Sequence, residues 1–312
     1  MTYDRVKALA VGTQRAELND LYGDLIQNTV NNNTVFYNLI PKEKVYSDRV
    51  GFRVRSARNS TADSYEELDI IVTGNSTRQR RYFPIKQLKV GVEVSGLMIE
   101  SAKGPGGIGD VWAEEIKDAS LDFAKEINTQ LFAAALPTTS DMSGIKYLID
   151  DGDNYATYGD ITDRTAAGYE WAVATTNETA QDLGITLMRT MVRTCATAGA
   201  NKANLMFVTS PTQVDKYKDL IQDLQRLVPT STVAGFEGMP SLDGIPIVED
   251  VNCDAGYMYC LDRSTLKMGV LKEPTLVTLP EPKDADAAYI KMYAQAVCSN
   301  PSWNYKATAL TT

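Results

Sequence analysis

The chain has 312 residues with 31 Lys plus Arg, 40 Asp plus Glu and no histidine, so its formal net charge is −9. The missing imidazole excludes Ser-His-Asp and Cys-His catalysis and every histidine-containing zinc site. The acidic balance argues against a general phosphate-binding role, and no apolar run approaches the roughly 20 residues of a membrane span. Four scattered cysteines without a CxxC pair predict reduced, buried thiols.

The first predicted element is an N-terminal arm, residues 1–41. Its apolar residues recur at helix-like intervals and precede a polar run at 31–34. The N-terminus lacks the apolar core of a signal peptide, so we expect neither export nor a membrane partner.

Residues 42–89 are predicted to form an extended loop. They hold 11 Lys/Arg and 6 Asp/Glu, a balance of +5 that leaves −14 for the rest of the chain. Apolar and basic residues alternate at 52–55, and an apolar run at 70–72 ends at Gly74, as in a long two-stranded projection. An isolated hairpin buries too little to be stable. It therefore lies on a neighbouring molecule or folds back onto its own domain.

A half-buried strand and a long helix follow. Val90, Val92 and Val94 alternate with small or polar residues, and this period of two is typical of a strand with one solvent-exposed face. Residues 110–136 carry apolar side chains at spacings of three and four, which predicts an amphipathic helix about 40 Å long.

The turn between them, Gly104–Gly109, reads GxGxxG and stands where a dinucleotide-binding motif would. The preceding strand alternates, the helix is too long, and no second strand supplies a ribose-binding carboxylate. We interpret the turn as a hinge and expect no cofactor.

Residues 137–177 are polar and contain the densest acidic cluster of the chain. An EF-hand loop counted from Asp151 has Ala156 where glycine is required and Thr162 where the bidentate glutamate belongs. We therefore expect a solvated acidic loop and no metal. The acidic residues of the cluster are Asp150, Asp151, Asp153 and Asp160.

A compact α/β block follows. A helix is predicted near 178–198, ended by Gly199, and a strand at 205–208. The next helix is predicted to begin with a capping box, in which Ser210 is the N-cap and Gln213 completes the pair. Further strands are expected at 245–248, 257–261, 266–270, 276–279 and 287–298.

The order of these parts resembles a major capsid protein of tailed viruses, the Hong Kong 97-type fold. The similar stretches are Lys89–Ser95, Tyr158–Arg164, Asp243–Val248 and Tyr289–Tyr305. The resemblance implies an α+β chain divided into an N-terminal arm (1–41), an extended β-hairpin loop (42–89), a peripheral domain with a spine helix at 110–136 (90–177 and 271–312) and an α/β axial domain (178–270).

The resemblance also implies a structural function without enzymatic activity, cofactor, metal or catalytic residue. Subunits would assemble in the host cytoplasm into pentamers and hexamers of an icosahedral virion capsid around double-stranded DNA, with only non-specific proximity to that DNA. A separate scaffolding protein is expected because the chain begins at Met1 without a long scaffolding segment; a portal and decoration proteins are further expected partners.

Six arginines of the loop are the candidate contacts between subunits. Beside Tyr82 and Phe83, the later ones also resemble a nucleic-acid patch, but an ion-pairing strand edge is the simpler interpretation. The candidates are Arg53, Arg55, Arg58, Arg78, Arg80 and Arg81.

Two other functions remain open at this stage. One is an encapsulin-like container, which shares the fold but encloses proteins. The other is a histidine-free enzyme built on carboxylates, although 40 acidic residues make chance carboxylate pairs unavoidable.

Overall fold

The computed structural model describes residues 35–102, 111–221, 240–280 and 284–311. The predicted helical stretch of the arm, the turn Gly104–Gly109 and the end of the helix after residue 221 lie outside the described residues. We number the elements along the described part of the chain. The helices are α1 (Val35–Leu39), α2 (Gly96–Ala102), α3 (Val111–Phe132), α4 (Ile145–Leu148), α5 (Ile185–Ala198) and α6 (Pro211–Ile221).

Twelve strands make up three sheets among the described residues. The strands are β1 (Lys42–Lys44), β2 (Arg49–Ala57), β3 (Thr77–Pro84), β4 (Lys86–Ser95), β5 (Thr175–Asn177), β6 (Leu205–Thr209), β7 (Ser241–Leu242), β8 (Ile245–Glu249), β9 (Met258–Asp262), β10 (Leu266–Leu279), β11 (Ala285–Cys298) and β12 (Tyr305–Ala307).

The first sheet has four strands in the order β1-β10-β11-β4. β1 runs parallel to β10, and the other pairs are antiparallel. Side chains alternate between the faces along β4, where Leu88, Val92 and Val94 are buried and Lys89 and Glu93 are exposed. The predicted half-buried strand is confirmed.

Helix α3 covers the inner face of this sheet. The stripe that includes Ile116, Phe123, Ile127 and Leu131 is buried, as the spacing predicts. The helix ends at Phe132, four residues before the predicted end at 136, because the returning chain occupies the space beyond it. An ideal Cβ on Gly144 would lie 2.4–2.5 Å from the carbonyl oxygens of Gln130, Leu131 and Ala133.

The end of the arm is attached to α3. Phe36 lies 5.1 Å from Phe132 between ring centroids, and its backbone N–H donates to Asp250 at 3.4 Å. Asn128 of α3 donates to the same carboxylate at 2.8 Å. The end of the arm, α3 and the loop that carries Asp250 therefore meet at one carboxyl group. This group is buried, and its burial raises the pKa of Asp250.

The second sheet has six strands in the order β5-β12-β9-β6-β8-β7 and separates two hydrophobic clusters. Because successive strand residues point to opposite faces, Met206 and Val208 join the cluster shared with α3 and the first sheet. Leu205 and Phe207 join the cluster beneath α5 and α6. The second sheet therefore lies between the two hydrophobic clusters and contributes side chains to both.

Three local predictions are wrong. The strands expected at 266–270 and 276–279 form one strand, β10, with irregular register between Val270 and Thr275. Helix α5 begins at Ile185, after Gly184, and not near 178. Ser210 and Gln213 do not form the capping box. Their side chains instead donate to the carbonyl of Ala255 because this helix start is buried against that loop.

The sheets cut across the predicted domain boundaries. β10 continues through the boundary between residues 270 and 271. β12 belongs to the second sheet, between β5 and β9, although the sequence grouped it with the first.

All four cysteines are free and buried, as predicted. Burial raises the pKa of Cys298 to about 12, so its thiol stays protonated. Among the described residues, no helix combines the length and the apolarity needed to cross a bilayer.

We expect Gly144→Ala to destabilise the protein by about 2 kcal/mol, because the added methyl group overlaps three backbone oxygens that cannot swing away. Thermal unfolding of the purified protein measures this. Gly184→Ala is the matched control, since a Cβ there meets nothing within 4 Å. Equal unfolding temperatures for the two variants would contradict the close packing of Gly144 on α3.

Candidate subunit interface

Strands β2 and β3 form a two-stranded antiparallel ribbon, which we call the shaft of the hairpin. One of its faces is apolar, because Val50, Phe52 and Val54 alternate along β2 and Phe83 lies opposite Val50. All four side chains are buried against the rest of the same chain. The shaft therefore packs on its own subunit, as the second sequence interpretation expected.

The packing surface under the shaft comes from three parts of the chain. Phe52 contacts Trp171 edge to face, with 6.0 Å between centroids, and Phe83 contacts Tyr158 in the same way at 5.1 Å. Val50 lies over Gly269 of β10, where an ideal Cβ would come within 2.4 Å of its side chain. The close approach at Gly269 fixes the position of the shaft on the first sheet.

A buried arginine organises this surface. The guanidinium of Arg164 is fully buried and donates to the carbonyls of Tyr147, Asp150 and Thr157 at 2.8–3.1 Å. It also lies over the rings of Tyr147 and Tyr158. Burial raises the pKa of the Tyr158 phenol well above its usual range. The ring that supports Phe83 therefore lies against this cation, and its hydroxyl donates to the carbonyl of Cys298.

The acidic cluster does not form a solvated loop at Asp150, and that prediction is wrong. Asp150 is fully buried and pairs with Lys306 of β12 at 2.5 Å. Asp160 pairs with Arg81 of the shaft at 3.5 Å, and Asp151 accepts from the backbone of Asp153 at 3.1 Å. In the described ranges, no group of three or more acidic or cysteine side chains is placed to hold a metal ion.

The opposite face of the shaft carries four of the candidate arginines. Arg53 lies directly across from Arg80, and Arg55 lies across from Arg78. We call these four residues the arginine face. All four are exposed, and in the part of the chain that the structure describes no carboxylate lies within 4.0 Å of any of them. Like charges directly across from each other in a β-ladder are destabilising. An acidic surface that covered the arginine face would remove this repulsion.

The two remaining candidates have different surroundings. Arg81 is on the packed face, where it also donates to the Tyr169 hydroxyl at 3.0 Å. Arg58 is exposed one residue beyond β2. Among the residues that the structure describes, five candidates therefore form no ion pair with the body of the chain, whereas Arg81 anchors the shaft.

Residues 59–76, which we call the tip, differ from the shaft in charge. They contain four acidic residues and no basic one, so the +5 of the loop is the sum of −4 in the tip and +9 elsewhere. Their large apolar side chains are also exposed. A single charge sum over the loop hides this separation. The signal in the sequence is the run 63–72, in which every residue except Ser64 is acidic or apolar.

A family model matches nearly the whole chain. The model for the SU10 major capsid protein matches residues 9–311. No curated protein matches the sequence.

Solved structures share the fold at low sequence identity. A chain of the cyanophage A-1(L) capsid asymmetric unit has a TM-score of 0.72 and 15% identity, covering 90% of this chain and 93% of that one. A chain of Mycobacterium phage Bobi has a TM-score of 0.60 and 12% identity, covering 88% and 90%. The SrpI encapsulin of Synechococcus elongatus has a TM-score of 0.60 and 9% identity, covering 88% and 86%. The predicted fold class is confirmed.

We expect Arg164→Met to lower the free energy of unfolding by about 3 kcal/mol or more, because three buried carbonyls lose a donor and two rings lose their cation. Urea unfolding followed by tryptophan fluorescence measures this. The control is Arg189→Met, whose exposed ion pair with Asp243 contributes about 1 kcal/mol at most. Similar losses in both variants would show that Arg164 does not organise the surface beneath the hairpin.

Proposed function

This chain belongs to the SU10 major capsid protein family, and from that premise we propose how its subunits join. As a major capsid protein, the chain has the structural role of forming the shell of a virion by association with copies of itself. We propose that these copies form pentamers and hexamers of an icosahedral capsid that encloses double-stranded DNA. We further propose that assembly takes place in the host cytoplasm and involves a separate scaffolding protein, a portal and decoration proteins.

The arginine face is the observation that carries the contact we propose. Four exposed cations are held on a rigid ribbon whose other face is buried on its own subunit, so they point away from the body that carries them. The chain outside the loop has a net charge of −14 in every copy. Because opposite potentials on contacting surfaces fix register and suppress wrong pairings, we propose that the arginine face contacts an acidic surface of the neighbouring subunit.

Arg58 extends this contact toward the tip. Arg81 has another part in the proposal: its pairing with Asp160 and Tyr169 holds the shaft in the orientation that presents the other arginines. We also propose the division into arm, extended loop, peripheral domain and axial domain, with the boundary near 270 shifted to keep β10 whole and with β12 counted with the second sheet.

We propose no catalytic role. The chain has no histidine, and the family is defined by a structural protein. Its carboxylates have structural uses where they are buried, as Asp150 has with Lys306 and Asp250 with Asn128.

The particle itself tests the proposed shell. We expect the expressed chain to form closed shells or ring-shaped capsomers, visible by electron microscopy, because every subunit carries both the cationic face and the acidic surface. Particles from infected cells are expected to contain DNA. A chain that remains a uniform monomer at all concentrations, both when purified alone and in cells that produce the other structural proteins of its virus, would overturn the proposal. Particles filled with protein in place of DNA would favour the encapsulin-like container.

We expect reversal of three exposed arginines (Arg53→Glu, Arg55→Glu and Arg58→Glu) to reduce the yield of shells about tenfold or more, since a cationic contact becomes repulsive. The thermal unfolding temperature should change little, because these side chains contact no carboxylate of the described part of their own chain. The yield is measured by sedimentation and electron microscopy.

A control with the same charge change reverses three exposed cations outside the loop that also have no carboxylate within 4.0 Å among the described residues: Lys117, Arg193 and Lys202. It should assemble better than the hairpin variant. Equal loss of folding and assembly in the hairpin variant would show that the arginines act within their own subunit.

A further inference from the structure

Strand β4 lies at an edge of the first sheet. It pairs with β11 in regular register over all ten residues, and in the described part of the chain no strand pairs with its other side. On that side the backbone N–H and C=O groups of every second residue point outward. An edge of this kind is a template for a further strand.

The other edges of the two larger sheets are short. β1, at the opposite edge of the first sheet, has three residues, and the edge strands of the second sheet, β5 and β7, have three and two. β4 contains neither a proline nor a bulge, which are devices that prevent edge pairing. Its edge is therefore suited to pairing with another chain.

The exposed side chains of β4 are complementary to a second copy of the same strand. Lys89, Gly91 and Glu93 are exposed on its outer face. If two copies run antiparallel about a two-fold axis at Gly91, Lys89 of each copy lies across from Glu93 of the other. A shift of two residues in either direction would place Lys89 across from Gly91 or Ser95 and would lose both ion pairs. Charge therefore favours one register.

The apolar side chains of β4 fit the same register. Val90 would lie across from Val92 of the second copy, and Leu88 would lie across from Val94. In each copy these residues belong to the hydrophobic cluster under α3 or pack against it, so the pairing would continue an apolar surface that already exists. A contact about a two-fold axis has to match itself in this way, because the same residues meet from both sides.

The surroundings of the axis favour the approach of a second strand. An ideal Cβ on Gly91 would meet nothing within 4 Å, so the space beside this residue is open. Lys89 lies directly across from Lys291 of β11, and like charges in that arrangement destabilise a sheet. The carboxylate of Glu93 from a second copy, on the other side of Lys89, would offset this repulsion.

We propose that β4 pairs antiparallel with β4 of a second copy about a two-fold axis at Gly91, so that two four-stranded sheets become one continuous sheet. This inference rests on the proposed function and names the contact that joins one ring of subunits to the next. Rings of five or six are closed by head-to-tail contacts, whereas a two-fold contact links two rings. The occupant is a second copy because β4 itself supplies both the cation and the carboxylate of each pair.

A cysteine at the proposed axis tests the pairing. Residues directly across from each other in an antiparallel pair have Cα atoms about 4.5–5.5 Å apart, which a disulfide can span. We expect mild oxidation of Gly91→Cys shells to link about half of the chains or more into dimers on a non-reducing gel. The native cysteines are buried. Gly184→Cys is the matched control and should remain unlinked, since a Cβ there also meets nothing within 4 Å.

A charge exchange tests the register. Glu93→Lys should reduce the yield of shells about tenfold, because only cations then meet across the axis. Adding Lys89→Glu should restore most of the yield, since the ion pairs reform with reversed sign. Thermal unfolding of the free subunits verifies that both variants fold. A double variant no better than Glu93→Lys alone would overturn the proposed pairing.

The outcomes separate this inference from the proposed function. Gly91→Cys shells with no more dimers than the control would overturn the pairing and leave the capsid role intact. A link to another protein of the particle in place of a second copy would also overturn it. Failure of the wild-type chain to form any shell, alone or with the other structural proteins of its virus, would instead count against the proposed function.

Discussion

The buried guanidinium of Arg164 is the interaction on which the outward geometry of this subunit depends. It satisfies three backbone carbonyls in a segment that has little regular structure of its own, and it lies over two tyrosine rings. One of these rings supports Phe83, so this cation contributes to the surface on which the shaft of the hairpin rests. The buried pair Asp150 and Lys306 then fastens the same segment to the second sheet. Together with the contacts of Phe52 with Trp171 and of Val50 with Gly269, these charges hold the shaft on its own subunit.

The two ends of the hairpin differ in burial and in charge. Near the body, one face of the shaft contributes to the core while the other carries arginines that have no acidic partner within the described chain. Beyond the shaft, the charge changes sign and the apolar residues turn outward. The two interpretations left open by the sequence apply to different parts of the projection. Its base packs on its own subunit, as one of them expected, and contact of its end with a neighbouring molecule stays a prediction.

The spacing of apolar residues correctly predicted the helices and strands that bury the same face along their whole length. The alternating strand at Val90–Val94 and the stripe through Phe123 and Ile127 were read correctly because one face of each is buried throughout. The predictions failed where a distant segment decides the outcome. The bulge that joins the two halves of β10, the contact of Gln213 with Ala255 and the burial of Asp150 each depend on chain at least 16 residues away. The candidate arginines were identified from local pattern alone, but only strand register shows that four of them share a face.

The acidic residues of the tip have a consequence for the subunit before it finds a neighbour. Ile70, Ile71 and Val72 form a short β-prone segment that is exposed in solution, and such segments drive aggregation when nothing interrupts them. Asp63, Glu66, Glu67 and Asp69 precede this segment and act as gatekeepers, because two tips that approach each other bring like charges together. The same carboxylates therefore keep a concentrated pool of free subunits soluble.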